Sequence, residues 1–163
     1  MRYNVAMNPR WVHNNLTVGV RLLITFCGHG AISEPESVRE WLRGVVRELI
    51  AGGADVFYLG GYGAFDSMAA SVIREQKKAH TNPEMVLVLP YLNSKMETSG
   101  YDSTVYPPLE TVPLRYAISK RNQYMVEQAD VVVAYVTHSW GGAAQTLSYA
   151  RRKKKRIVLF STK

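Results

Sequence analysis

Cysteine is nearly absent: Cys27 is the only one in 163 residues. No intramolecular disulfide can form, which fits a reducing compartment. Histidine is sparse as well. His13, His29, His80 and His138 are scattered, and with one thiol they give no metal-ligand spacing, so neither a metal nor a cofactor is expected. The apolar runs, such as 131–136, have strand length and fall far short of the ~20 residues that span a bilayer. The N-terminus lacks the charged start, apolar stretch and small-residue cleavage site of a secretory signal. No internal repeat of roughly 20–50 residues is visible. These absences lead to the expectation of a cytoplasmic protein without membrane contact.

Acidic residues are outnumbered, 13 against 20 Lys and Arg, giving a formal net charge of +7. The excess is local. Arg151, Arg152, Lys153, Lys154, Lys155 and Arg156 form one run, and without it 14 basic residues face 13 acidic ones. A nucleic-acid partner binding through this run is therefore an alternative rather than the leading expectation.

Short apolar segments at 21–27, 56–59, 85–89, 131–136 and 157–160 alternate with helical patterns. Val38, Trp41, Leu42, Val45, Val46, Leu49 and Ile50 make one apolar stripe, with Ser33 and Glu36 as a capping box before it and Gly52-Gly53 after it. Further helices are expected to about residue 79, over 114–129 and over 141–152. This alternation predicts an α/β, Rossmann-like, doubly wound and mostly parallel five-stranded sheet of order 3-2-1-4-5, with helices on both faces. Residues 1–20 form an N-terminal extension and 21–163 a single domain. The segment 91–113 has no period. It is long for a loop, hence mobile or functional, and its Tyr91, Tyr101 and Tyr106 either stack on a base or pack the segment onto the body.

Ligands of such sheets bind beyond the carboxyl ends of the strands where the winding reverses, here between the first and fourth strands. Three glycine-containing turns meet there: Gly28-His29-Gly30, Gly60-Gly61-Tyr62-Gly63 and Gly141-Gly142. Each opens a helix whose free N–H groups favour phosphate. Asp66, in the first turn after Gly63, suits ribose hydroxyls or simply caps its helix. Arg121 and Asn122 lie on a helix, where a lone Arg is usually solvated but can also hold phosphate bidentately. His29 is a donor or proton carrier. His138 and Ser139 make no triad without an orienting acid, and Cys27 reads as an inert packing residue.

Ile24-Thr25-Phe26-Cys27-Gly28-His29-Gly30, Phe57 to Asp66 through Gly60-Gly61-Tyr62-Gly63, Arg121-Asn122, Ala129-Asp130-Val131-Val132-Val133-Ala134-Tyr135 and Gly141 to Ala150 occur in an order that resembles the SLOG superfamily. That superfamily includes Lonely Guy phosphoribohydrolases, DNA-processing protein A and nucleotide-sensing domains, and this chain resembles its small stand-alone bacterial members. The resemblance implies a nucleotide-derived small-molecule partner contacting Gly28, His29, Gly60, Gly61, Gly63, Asp66, Arg121, Asn122, Gly141 and Gly142. It also implies a homo-oligomer. The catalytic glutamate of the phosphoribohydrolases falls on Ser67 or Ser148, so binding as sensor, carrier or scavenger is expected without catalysis. The alternative is a nucleoside-phosphate N-glycosidase that uses Asp66 as its acid.

Overall fold

The computed structural model describes residues 21–79, 83–93 and 95–162. The expected extension 1–20, with His13, lies outside them, as does His80. Six parallel strands form one sheet: β1 (Leu22–Gly28), β2 (Ala54–Leu59), β3 (Glu84–Val88), β4 (Ser103–Val105), β5 (Val131–Tyr135) and β6 (Arg156–Leu159), in the order β4-β3-β2-β1-β5-β6. The expected order holds for the five apolar strands, and the winding reverses between β1 and β5. The sixth strand corrects the reading of 91–113 as an irregular segment. Ser103, Thr104 and Val105 pair with Val86, Leu87 and Val88, and Asp102 accepts the N–H of Met85 at 2.7 Å to start the ladder. Three residues with a polar start carry too little periodicity to reveal a strand.

Among the described residues four helices cover the sheet: α1 (Pro35–Ala51), α2 (Ala64–Lys77), α3 (Ala117–Gln128) and α4 (Gly142–Arg152), with a 3₁₀ turn (Leu114–Tyr116) ahead of α3. The apolar stripe of α1 is buried from Val38 to Leu49 and joins Phe57, Phe65, Ile73 and Val133 in the main core, as the continuous apolar strands of a doubly covered sheet require. A smaller core on the other face joins Cys27, Val126, Val132 and Leu147. No described helix is long and apolar enough to cross a membrane.

The capping box at Ser33 does not form. Pro35 takes the first helical position, where its missing N–H costs nothing, so the cap falls on Glu34 and no side chain bonds there. Ser33 lies instead 3.4 Å from the Tyr135 hydroxyl. Tyr91, Tyr101 and Tyr106 are not among the residues that line the cleft beyond β1 and β5. Tyr101 packs on the main core with the Arg74 guanidinium 5.2 Å above its ring.

The cationic run is divided among several tasks. Arg151 and Arg152 end α4, where they complement its negative pole. Lys155 turns to α3, its Nζ donating to the carbonyls of Glu127 and Ala129 at 3.0 and 2.9 Å.

Candidate functional site

Beyond the carboxyl ends of β1 and β5 lies a cleft of about 560 Å³. Its floor is Thr25 to Gly28, and its sides are the turns entering α2 and α4, with Arg121, Asn122 and Met125 of α3. Of the sequence-predicted residues, Gly28, His29, Gly60, Gly63, Asp66, Arg121, Asn122, Gly141 and Gly142 all line it. Gly61 does not, and lines a separate hollow with Met96 and Tyr101.

The two glycine turns have the same shape and different surroundings. Gly63 caps α2 at φ 87 and ψ 169, and Gly141 caps α4 at φ 90 and ψ 178. These are backbone conformations that side chains with a Cβ rarely adopt. The α2 turn is filled from within. A Cβ on Gly63 would stand 2.9 Å from the Gly30 Cα, and the Ala64 N–H donates to the Gly30 carbonyl at 3.0 Å. At Gly61 the Cβ position lies 2.2 Å from the Met96 methyl. The Gly61 N–H donates to the Asp66 carboxylate. The α4 turn is open: nothing lies within 4 Å of a Cβ on Gly141 or Gly142. The first N–H in α4 to meet an intrahelical acceptor is that of Gln145, on the Gly141 carbonyl. Those of Gly142, Ala143 and Ala144 precede it and have no acceptor among the described residues.

Arg121, which the resemblance makes a ligand contact and which a lone helical position would leave solvated, is 2% exposed. Its Nη1 donates to the carbonyls of Gly60 and Val88, both at 2.8 Å, and its Nε to Asn122 Oδ1 at 2.9 Å. The guanidinium thus ties the carboxyl ends of β2 and β3 to α3. Burial lowers its proton affinity and the Asp66 charge opposes that. Asp66 itself is buried, and burial pushes its carboxyl up to about 6, against the Gly61 and Gly60 amides and the Arg121 charge, which favour the ionised form. Burial likewise pushes the Cys27 thiol up to about 12, so it stays protonated and unreactive at neutral pH.

His29 is fixed on several sides. Its Nε2 accepts the Thr137 N–H at 2.8 Å, and its ring meets the edge of Tyr135. On its free face the His138 ring lies 3.7 Å away and nearly parallel, and Trp140 stacks on His138 at 3.8 Å. Accepting at Nε2 requires the neutral ring. Burial first, and His138 second, lower the His29 pKa. Trp140, 70% exposed, presents an indole at the edge of the cleft. Sequence reading missed this three-ring stack. The available signal was a Trp in a Ser-Gly turn, where no core periodicity calls for an aromatic.

Chemically the cleft offers unpaired N–H groups at a positive helix pole, an aromatic stack beside them and a buried carboxyl of raised pKa.

No protein-family model and no curated protein matches the chain. Solved structures do. DNA processing protein A from Helicobacter pylori, described for its single-stranded DNA binding mode, is similar with TM-score 0.61 and 17% identity over 87% of this chain and 66% of that one. The molybdenum cofactor carrier protein of Chlamydomonas reinhardtii aligns with TM-score 0.58 and 16% identity over 85% of this chain and 76% of that one. The protein TM1055 aligns with TM-score 0.59 and 18% identity over 83% of this chain and 72% of that one. At these identities the likeness is one of fold.

Proposed function

We propose that this chain, built on the Rossmann-like fold of SLOG-type proteins, binds a nucleotide or nucleotide-derived small molecule in the cleft between β1 and β5. The observation that carries the proposal is the open α4 turn. Gly141 at φ 90 opens a helix whose first three N–H groups have no acceptor among the described residues. Gly141, Gly142 and Ala143 line the cleft, and nothing lies within 4 Å of a Cβ on either glycine. A phosphate fits there by hydrogen bonding and by the helix dipole. The exposed face of Trp140 then offers a platform for a base, with His138 and His29 stiffening it from behind. Among the structural neighbours one is described as binding single-stranded DNA and another as a cofactor carrier, which agrees with a ligand-binding role for this fold.

Within this reading the second predicted cradle has a different task. The Gly60-Gly61 turn spends its amides on Asp66, whose charge would repel phosphate, so it supports the cleft wall. Calorimetric titration with AMP, ADP-ribose and cyclic AMP tests the proposal. Heat from at least one of them, lost when the α4 turn is altered, supports it. Absence of heat from all three removes it.

A second reading rests on Asp66. A carboxyl raised to about 6 at the cleft wall is poised to exchange a proton near neutral pH, as N-glycosidic cleavage requires. Incubation with nucleoside monophosphates then releases free base, and Asp66→Asn abolishes the release. Intact substrates after prolonged incubation with the wild-type protein exclude it.

A further inference from the structure

Behind the α4 N-terminus lies a second cavity of about 520 Å³, in the groove between α3 and α4. It shares Ile118, Asn122, Gly142 and Thr146 with the first cleft, so the two are continuous around one helix end. Their chemistry differs. The first is floored by β-strand ends and edged by aromatic rings. The second is walled by Ser119, Gln123, Gln145 and Ser148, with Arg115 at one side and Arg152 at another, and no carboxylate lines it.

The two arginines are exposed and pair with no carboxylate among the described residues. Each rests on a tyrosine ring of its own neighbourhood, Arg115 at 4.8 Å over Tyr116 and Arg152 at 5.6 Å over Tyr149. Stacking restricts a guanidinium and reduces the entropy lost on meeting an anion. Glu127, which does not line this groove, accepts the Tyr149 hydroxyl. Gly142 and Arg152 stand at opposite ends of an 11-residue helix, roughly 15 Å apart along its axis. Helical side chains lean toward the N-terminus, which brings the guanidinium back along the groove.

From this placement we infer that the ligand carries a second, separate anionic group, and that the paired cavities take a molecule of dinucleotide size: one nucleoside phosphate in the cleft, with the next phosphodiester and nucleoside in the groove between Arg115 and Arg152. The inference rests on the proposed nucleotide site and extends it. Each cavity alone has the volume of a small-molecule site, and the four residues they share let one ligand extend from the cleft into the groove. The unpaired cations and the lack of acid in the groove select against a neutral extension.

The test compares AMP with the linear dinucleotide pApA and a 5′-phosphorylated deoxyadenosine decamer. The wild-type protein, an Arg115→Gln/Arg152→Gln double variant and an Arg151→Gln/Lys154→Gln control that removes the same net charge elsewhere are titrated. The expected result is that pApA binds at least about tenfold tighter than AMP, the magnitude of one charged hydrogen-bonded contact. The first double variant removes that advantage, and the charge control keeps it. If AMP binds and pApA gains nothing, the inference falls while the nucleotide site stands. If the charge control loses the advantage equally, the groove arginines act only through net charge and the inference falls. A decamer binding far tighter than pApA overturns the dinucleotide size. If neither AMP nor pApA binds, the nucleotide site and the inference fall together.

Discussion

The guanidinium of Arg121 occupies the space that a side chain on Gly60 would need: its Cζ lies 2.9 Å from where a Gly60 Cβ would stand. Arg121 Nη1 also bonds the Gly60 carbonyl, so the glycine and the arginine form one unit that closes the cleft wall. Arg121→Met should leave the carbonyls of Gly60 and Val88 without this donor and cost roughly 2–4 kcal/mol. Gly60→Ala should cost about 1–3 kcal/mol through overpacking. Urea unfolding of both variants checks this, and losses under about 0.5 kcal/mol would show that the unit contributes nothing beyond an ordinary surface pair.

The two glycine turns should respond oppositely to a methyl group. Gly61 has φ 76 and the Met96 methyl in its way, so Gly61→Ala destabilises by about 1–3 kcal/mol. Gly142 is the first residue of α4 with open space before it, so Gly142→Ala leaves stability unchanged or slightly raised. It should weaken AMP binding by about tenfold, or ~1.4 kcal/mol. Thermal unfolding and calorimetry on the same preparations separate the two effects. Equal AMP affinity in Gly142→Ala and wild type would detach the α4 turn from phosphate.

Trp140 is 70% exposed, so Trp140→Ala should alter stability by less than about 0.5 kcal/mol. If the indole stacks on a base, the same variant loses about 1–3 kcal/mol of nucleotide affinity, and titrating AMP changes the wild-type tryptophan fluorescence. Retained affinity in the variant would assign the base to another wall.

The pH dependence of stability holds two opposed contributions. His29 has a lowered pKa in the fold, so the unfolded chain binds its proton more readily. Its contribution is present above about 6.5 and is lost as pH falls through the folded value. Asp66 has a raised pKa: its contribution is present below 3.8 and is lost as pH rises through about 6. Asp66→Asn keeps an acceptor for the Gly61 N–H and removes the charge. Its stability should exceed that of wild type by on the order of 2–3 kcal/mol above pH 7, converging toward pH 4. The variant should therefore lose stability more steeply on acidification than wild type does. Denaturant midpoints at pH 4, 5.5 and 7.5 measure this, and a difference independent of pH would show that Asp66 is ionised freely in the fold.

The strands of the core were legible because a parallel sheet buried on both faces needs continuous apolar runs, and Val131-Val132-Val133 can hardly be anything else. The glycine turns were legible for the same reason, since they end those runs. What the pattern could not tell was which turn is filled. Gly63 and Gly141 read alike in sequence, and the difference lies in Gly30, Met96 and Asp66, which only folding brings beside the first. Arg121 carries a periodic trace: it stands four residues from buried Ala117 and four from buried Met125, so it lies on the inward stripe of α3. The stack of His29, His138 and Trp140 left no periodic trace, only an aromatic at Trp140 where no core period calls for one, because residues from two distant loops build it.

The position of β1 in the sheet also orders assembly in time. One side of β1 pairs with β2, which follows within a single helix, but the other side pairs Ile24 with Val131, roughly a hundred residues further on. The half-sheet from β1 to β4 is built from near neighbours, whereas the pairing that creates the cleft closes the longest loop in the fold and is slow for that reason. The two walls of the cleft therefore depend on pairings of very different sequence separation. A chain halted before β5 would carry the Gly60 turn and its Asp66 contact without any site, and would leave the β1 edge open to pairing with another chain.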